Sequence, residues 1–157
     1  MSHRKTTTGA EAFHLIRSSK TNELRTRPVS QHFSWGEVFV HRTNAEIERD
    51  ASLDELEAAY RLAQQLDVVR GFLGNRPITV TSWWRDRATQ VRLVGEGTGA
   101  TNSWHVKGRA ADIKVAGLSP TTVYNRLKSW WPGEVGNGAR LGFTHLADSI
   151  RNENFNY

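Results

Sequence analysis

The chain contains no cysteine. Disulfide bridges and thiolate metal sites are therefore excluded, and any bound metal must be held by His, Asp or Glu. The sequence also lacks an apolar run near the ~20 residues that a helix needs to cross a bilayer. No apolar stretch follows the first basic residues. We therefore predict no signal peptide, synthesis in the cytoplasm and no membrane partner.

A concentrated basic surface is also missing from most of the chain, although the formal net charge is +5 and the pI is about 10.0. Residues 1–30 hold six Lys or Arg against two Glu, whereas the remainder holds 15 basic and 14 acidic residues. Proteins that bind nucleic acid usually cluster their basic residues on one face of a folded domain. We therefore predict no nucleic-acid partner.

Composition also divides the chain into two parts. Residues 1–30 are rich in Ser, Thr and basic residues, with one short apolar patch at residues 13–16. Alone, such a segment buries too little apolar surface to offset the entropy of ordering it. We predict a basic N-terminal arm at 1–30 and a folded domain at 31–157. Two interpretations of the arm stay open, a docking segment for a partner and a solvated tail.

Within residues 31–157, local patterns predict an α+β domain. Ser52, followed three residues later by an acidic residue, is typical of a helix N-terminus. Residues 78–81 predict a β-strand, and the alternation at 109–115 predicts another. Ser119 precedes a proline that can open a second helix. A last strand is predicted at 141–147.

Two histidines and one aspartate are candidates for a metal site. His105 and Asp112 lie seven positions apart with Gly108 between them. A turn at the glycine would let Asp112 project from the following strand, opposite the apolar residues of that strand. His145 lies on the predicted last strand. Two imidazoles and one carboxylate are typical of catalytic Zn²⁺, whose fourth position stays open. Spacing alone leaves open that these are ordinary surface or core histidines.

Three motifs in this order resemble those of the D-Ala-D-Ala carboxypeptidase-type zinc peptidases. They are Ser82-Trp-Trp-Arg85, Ser103-Trp-His-Val-Lys-Gly-Arg-Ala-Ala-Asp112 and Gly142-Phe-Thr-His145. The similarity is closest to a short bacterial and phage branch and covers residues 33–157, roughly four fifths of the chain. It implies the Hedgehog/DD-peptidase fold, with a small antiparallel sheet and flanking helices.

The resemblance also implies roles for individual residues. Position by position, it implies zinc as the cofactor, with His105, Asp112 and His145 as its ligands. It implies that Arg85 binds a carboxylate of the substrate peptide, assisted by Ser82. This role suits the chemistry of arginine, because a planar guanidinium can bind a carboxylate through two parallel hydrogen bonds.

The catalytic base departs from the family pattern. Many members have an acidic residue three positions before the last zinc histidine, where this chain has Gly142. In the most similar branch that histidine is followed by x-Asp, but here Ala147 takes the aspartate position and Asp148 comes one residue later. The glycines of residues 132–138 predict a loop, and Glu134 in this loop is the other candidate. We keep Asp148 and Glu134 as alternatives for the general base.

The resulting hypothesis is a zinc-dependent peptidase that cleaves stem or crosslink peptides of peptidoglycan, as a DD-carboxypeptidase or an endopeptidase. A phage lysin or a virion-associated enzyme would fit, acting from the virion or after release to the cell wall. The alternative is a catalytically impaired structural component of a phage particle, with residues 1–30 anchoring it to phage structural proteins.

Overall fold

The computed structural model describes residues 4–97, 103–148 and 154–156. The helices in these ranges are α1 Gly9–Arg17, α2 Thr21–Arg25, α3 Trp35–Val38, α4 Asn44–Asp50, α5 Leu53–Phe72, α6 Arg87–Gly95 and α7 Pro120–Leu127. The strands are β1 Ile78–Ser82, β2 Ala110–Val115, β3 Glu134–Gly138, β4 Phe143–Ala147 and β5 Asn154–Asn156. Short 3₁₀ turns span Trp104–Lys107 and Ala139–Leu141. In the described part of the chain, no helix combines the length and apolar character needed to cross a membrane.

The strands form one sheet in the order β1-β2-β4-β3-β5. The first four are antiparallel neighbours, and β5 pairs with β3 in parallel. Helices flank this sheet, so the prediction of an α+β fold with a small antiparallel sheet is confirmed. The strands predicted near 78–81, 109–115 and 141–147 correspond to β1, β2 and β4.

The long helix α5 packs into the hydrophobic core. It begins where the sequence predicted, because Ser52 Oγ accepts the Glu55 N–H and the Glu55 carboxylate accepts the Ser52 N–H. This reciprocal capping satisfies two backbone donors at the helix start. Leu62 and Leu66 lie fully buried on the inner face of α5. The helix therefore supplies one wall of the core, and burial of each leucine contributes about 1.5–3 kcal/mol.

The N-terminal segment packs into the same core. Ala12 and Ile16 of α1 and Leu24 of α2 are buried. Trp35 Nε1–H donates to the Thr7 carbonyl over 2.8 Å. The sequence analysis separated residues 1–30 because they contain few apolar side chains, but those few lie on the inner faces of two short helices. A docking role for this segment stays a prediction.

Strand β3 was not predicted. The sequence analysis interpreted residues 132–138 as a glycine-rich loop, and that interpretation was wrong. Gly138 serves strand packing instead. A Cβ at Gly138 would lie 2.7 Å from the Phe143 carbonyl oxygen and 2.8 Å from ring carbons of the same residue. Glycine is therefore needed here for β3 to approach β4 closely.

Candidate metal centre

Three predicted ligands meet at the centre of the sheet. Asp112 on β2 lies directly opposite His145 on β4 in the strand register. His105 approaches them from the 3₁₀ turn that precedes β2. The Asp112 Oδ1 atom lies 3.3 Å from His105 Nε2 and 2.9 Å from His145 Nδ1. One ligand atom from each residue lies within 4.8 Å of the other two.

A left-handed glycine brings His105 over β2. Gly108 ends the 3₁₀ turn with φ +71°, a conformation that L side chains rarely adopt. A Cβ at this position would also overlap the carbonyl oxygen of Glu55 on α5. The turn therefore requires glycine for two independent reasons. This turn explains how His105 can lie beside Asp112, although the two residues are seven positions apart in the sequence.

The protonation chemistry of the cluster favours a cation. Burial alone would raise the pKa of the Asp112 carboxyl, but His105 and His145 hold it well below its ordinary value. Burial lowers the pKa of His145, yet hydrogen bonds to Asp112 and Glu134 raise it to about 9. When no metal is bound, His145 is therefore protonated at neutral pH. A buried carboxylate between two imidazoles stabilises positive charge, whether a proton or a metal ion carries it.

The chemistry of these donors fits a metal ion. His105 Nδ1 lies 2.7 Å from the Trp83 carbonyl oxygen. Because a carbonyl only accepts hydrogen bonds, Nδ1 carries a proton, and Nε2 is the ring nitrogen that is left to bind a metal. His105 and His145 are each 3% exposed. Buried nitrogen and carboxylate donors with a fixed imidazole orientation are typical of metal sites. These three residues can therefore hold a metal ion.

The predicted carboxylate-binding pair lies beside this cluster. Arg85 Nη2–H donates to Ser82 Oγ over 3.1 Å, and Arg85 Nη1–H donates to Gln90 Oε1 over 2.9 Å. The Arg85 backbone N–H donates to the His105 carbonyl over 3.1 Å. Arg85 is therefore connected to the ligand turn through its backbone and is oriented by two side chains. Gln90 was missed because the sequence analysis did not predict α6, although Asp86 is a typical N-cap.

The two candidate bases differ in position. Glu134, at the start of β3, places Oε1 2.7 Å from His145 Nε2. Asp148 follows β4, and its backbone N–H donates to the Arg109 carbonyl over 2.8 Å. The Glu134 carboxylate thus contacts a candidate ligand directly. Asp148 lies one residue beyond the end of β4, where its backbone hydrogen bond to Arg109 holds the chain beside the start of β2.

A cleft of about 410 Å³ lies next to Arg85 and the ligand turn. It is lined by Arg87, Gln90, Val91, Ser103, Trp104, Val106 and Lys107. The charged side chains among these lining residues are both cations. Lys107 Nζ and Arg109 Cζ lie 5.1 Å and 4.7 Å from the centre of the Trp104 ring. The cleft thus combines an aromatic wall with positive charge, which suits an anionic or polar chain.

Comparison with known proteins agrees with this fold and identifies the family of the chain. The profile of the peptidase M15 family matches residues 31–147, and the chain belongs to this family. Over 87 residues it is 32% identical to the peptidoglycan L,D-endopeptidase MepK of Escherichia coli strain K12, covering 54% of this chain and 48% of that protein. The MepK proteins of Escherichia coli O157:H7 and Shigella flexneri match with the same identity and coverage. The chain spans about half the length of these curated relatives.

Proposed function

We propose that this protein is a zinc-dependent peptidase that cleaves peptide bonds in peptidoglycan. The observation that carries the proposal is the buried convergence of His105 Nε2, Asp112 Oδ1 and His145 Nδ1. Membership of the peptidase M15 family supports peptide hydrolysis. Similarity to proteins named peptidoglycan L,D-endopeptidase supports peptidoglycan as the substrate class.

Each residue of the cluster has a distinct task in this proposal. His105, Asp112 and His145 would hold the zinc ion, and the Trp83 carbonyl fixes the His105 ring through Nδ1–H. A zinc ion held there would supply Lewis acidity toward the scissile carbonyl and lower the pKa of water. The surrounding burial excludes bulk solvent, which strengthens the electrostatic interactions of the site.

Arg85 would bind a carboxylate of the substrate peptide. Its guanidinium is held by Ser82 and Gln90, so little side-chain entropy remains to be lost when the substrate binds. A planar guanidinium can bind a carboxylate through two hydrogen bonds. The cleft along Trp104 and Lys107 would accept the adjoining part of the chain. A peptide bound in this way would lie next to the metal ligands.

A carboxylate would take the proton from the attacking water, and Asp148 and Glu134 are the two candidates. General bases typically contribute ~10²–10⁴-fold to the rate. The two candidates lie at adjacent ends of two paired strands. Glu134 of β3 pairs in register with Ala147 of β4, and Asp148 is the residue after Ala147. Exchange of each carboxylate for its amide would separate their roles.

Two finer aspects belong to the same proposal. Binding of a terminal carboxylate by Arg85 favours carboxypeptidase activity, whereas the name of the MepK relatives, L,D-endopeptidase, favours cleavage within a peptide. Delivery by a phage, as a lysin or with residues 1–30 bound to phage structural proteins, is a hypothesis from the sequence. The same holds for the alternative of an impaired structural component in a phage particle.

Muropeptides provide the test. Zinc-loaded protein should release fragments from crosslinked dimers or from stem peptides with a free carboxyl end, and chelated protein should not, as separated by chromatography and identified by mass. The R85K variant keeps the charge but loses the planar fork. Its kcat/KM should fall roughly 10–100-fold, since hydrogen bonds to charged groups contribute about 1.5–3 kcal/mol. Absence of fragments with stoichiometric zinc, while an active relative cleaves alongside, would contradict the proposal.

A further inference from the structure

We infer that Glu134 is a positioning residue that fixes the His145 ring for metal binding, an inference that rests on the metal site of the proposed function. Its carboxylate lies 2.7 Å from His145 Nε2, while Nδ1 of the same ring lies 2.9 Å from Asp112 Oδ1. The two ring nitrogens thus face different partners. Only Nδ1 faces the atoms that converge with His105.

The hydrogen-bond direction at Nε2 follows from the chemistry of the partner. An ionised carboxylate can only accept, so Nε2 must carry the proton. With Nε2 protonated, Nδ1 is the nitrogen whose lone pair can bind a metal in place of the proton it shares with Asp112. Glu134 therefore selects the tautomer that can bind a metal in the cluster. It also holds the plane of the ring.

His105 shows the same principle with a different acceptor. Its Nδ1–H donates to the Trp83 carbonyl over 2.7 Å, which leaves Nε2 for the metal. Each candidate histidine ligand is therefore oriented through the nitrogen that faces away from the cluster. For His105 the acceptor is a neutral backbone group, and for His145 it is a charged side chain. A charged acceptor makes the imidazole a stronger electron donor to a metal.

The strand register explains why Glu134 can reach the ring. The residue directly opposite His145 on β3 is Gly136, which has no side chain. Glu134 lies two residues away on the same face of β3, because side chains alternate along a strand. Its side chain is 14% exposed and that of His145 is 4% exposed. The contact is therefore largely removed from water, where a charge-assisted hydrogen bond is strong.

This inference divides the work of the two candidate carboxylates. Glu134 acts through His145 on the metal, and Asp148 becomes the candidate for proton transfer. The two roles predict different measurements. Loss of a positioning carboxylate should weaken metal binding, whereas loss of a proton acceptor should reduce turnover without changing metal affinity.

The experiment compares E134A, E134Q and D148N for zinc affinity by competition with a chelating dye. E134A should bind zinc about 10–100-fold more weakly, as is typical when the hydrogen-bond partner of a ligand is removed. E134Q should show a smaller loss, because its amide oxygen still accepts the Nε2 proton but carries no charge. D148N is the matched control and should bind zinc like the wild type. Thermal melts of the chelated proteins would check that each variant folds.

A spectroscopic measurement isolates the orientation of the ring. In the zinc-loaded protein, nitrogen–proton NMR of the imidazoles should show a slowly exchanging Nε2–H for His145, and E134A should lose that protection. Zinc affinity of folded E134A within about twofold of the wild type, with an unchanged His145 signal, would overturn the inference. Failure of the wild type itself to bind zinc would instead overturn the proposed function.

Discussion

Two aspartates of this protein are similarly buried but contact different partners. Asp112 is 7% exposed and Asp86 is 1% exposed. Burial would raise the pKa of both carboxyls, yet their partners hold both below their ordinary values. Asp112 contacts two histidines. The Asp86 carboxylate instead contacts Arg42 over 2.8 Å and Arg49 over 3.3 Å, and it caps α6.

The difference between the partners separates a functional site from a structural one. Arginine stays protonated and offers no lone pair, so the Asp86 network cannot bind a metal ion. Histidine can exchange a proton for a metal at the same nitrogen. Burial and a shifted pKa alone do not identify a functional site, because structural ion-pair networks shift pKa values as well. Whether a buried aspartate belongs to a metal site is decided by its partners, because histidine can give up a proton to bind a metal and arginine cannot.

The largest expected effect comes from Asp112. The D112N variant keeps the shape of the side chain but removes the charge that binds a cation. Since Lewis-acid catalysis contributes several kcal/mol, hydrolysis of muropeptides should fall by about a thousandfold or more, together with zinc affinity. The matched change D86N should leave zinc affinity unchanged. Tight zinc binding by D112N would contradict the assignment of Asp112 as a metal ligand, in contrast to Asp86 as a structural residue.

Asp86 should affect stability rather than metal binding. Its pKa is lowered from 3.8 to about 2 because hydrogen bonds from Thr89 and Arg42 outweigh burial. A folded-state pKa below the unfolded value stabilises the protein above about pH 4, and this contribution is lost as the pH falls to about 2. The shift corresponds to about 2 kcal/mol.

Urea unfolding of the wild type and D86N from pH 6 to pH 2 measures this contribution. Other carboxylates titrate in both proteins, so the difference between their free energies of unfolding isolates Asp86. That difference should shrink by about 2 kcal/mol across the range. Asparagine is also a good N-cap, so the variant changes the charge while keeping the cap. A difference that does not depend on pH would contradict the ion-pair assignment.

Much of the candidate site could be predicted from short sequence motifs and their resemblance to a known family, although their spacing alone left it open. The motif from 103 to 112 contains two of the three candidate ligands and the glycine that turns the chain between them. By contrast, the contact between Glu134 and His145 depends on the register of β3 and β4. Because the glycines of β3 are typical of loops, neither the strand nor that register could be derived from the pattern alone.

Several short helices begin with capping boxes, but only the capping box at Ser52 was interpreted as a helix start in the sequence. Thr8, Ser34 and Thr43 each form the same capping box as Ser52. Only the helix after Ser52 is long enough to show a repeating apolar stripe. Helices of four to nine residues depend on tertiary packing for their stability, and this packing is not visible in local sequence.

The smallest expected effect tests whether the Asp86 network is connected, through α6, to Arg85, the proposed substrate-binding residue. Helix α6 begins at the Asp86 cap, and Gln90, one turn later, accepts the Arg85 Nη1–H over 2.9 Å. Q90A would remove this contact while leaving that of Ser82. For substrates with a free terminal carboxylate, KM should rise about tenfold, since a hydrogen bond to a charged group contributes about 1.5 kcal/mol. Zinc affinity and kcat should change little.

The control is R92A, on the same helix, because the Arg92 side chain is 59% exposed and pairs with Glu96 at the surface. It should leave KM unchanged. Substrates whose terminal carboxylate is converted to an amide provide the decisive comparison. If Gln90 acts by orienting Arg85, the wild type and Q90A should bind the amide equally weakly. An equal loss for acid and amide would mean instead that Gln90 shapes the cleft itself, and α6 would then belong to the substrate site rather than to its support.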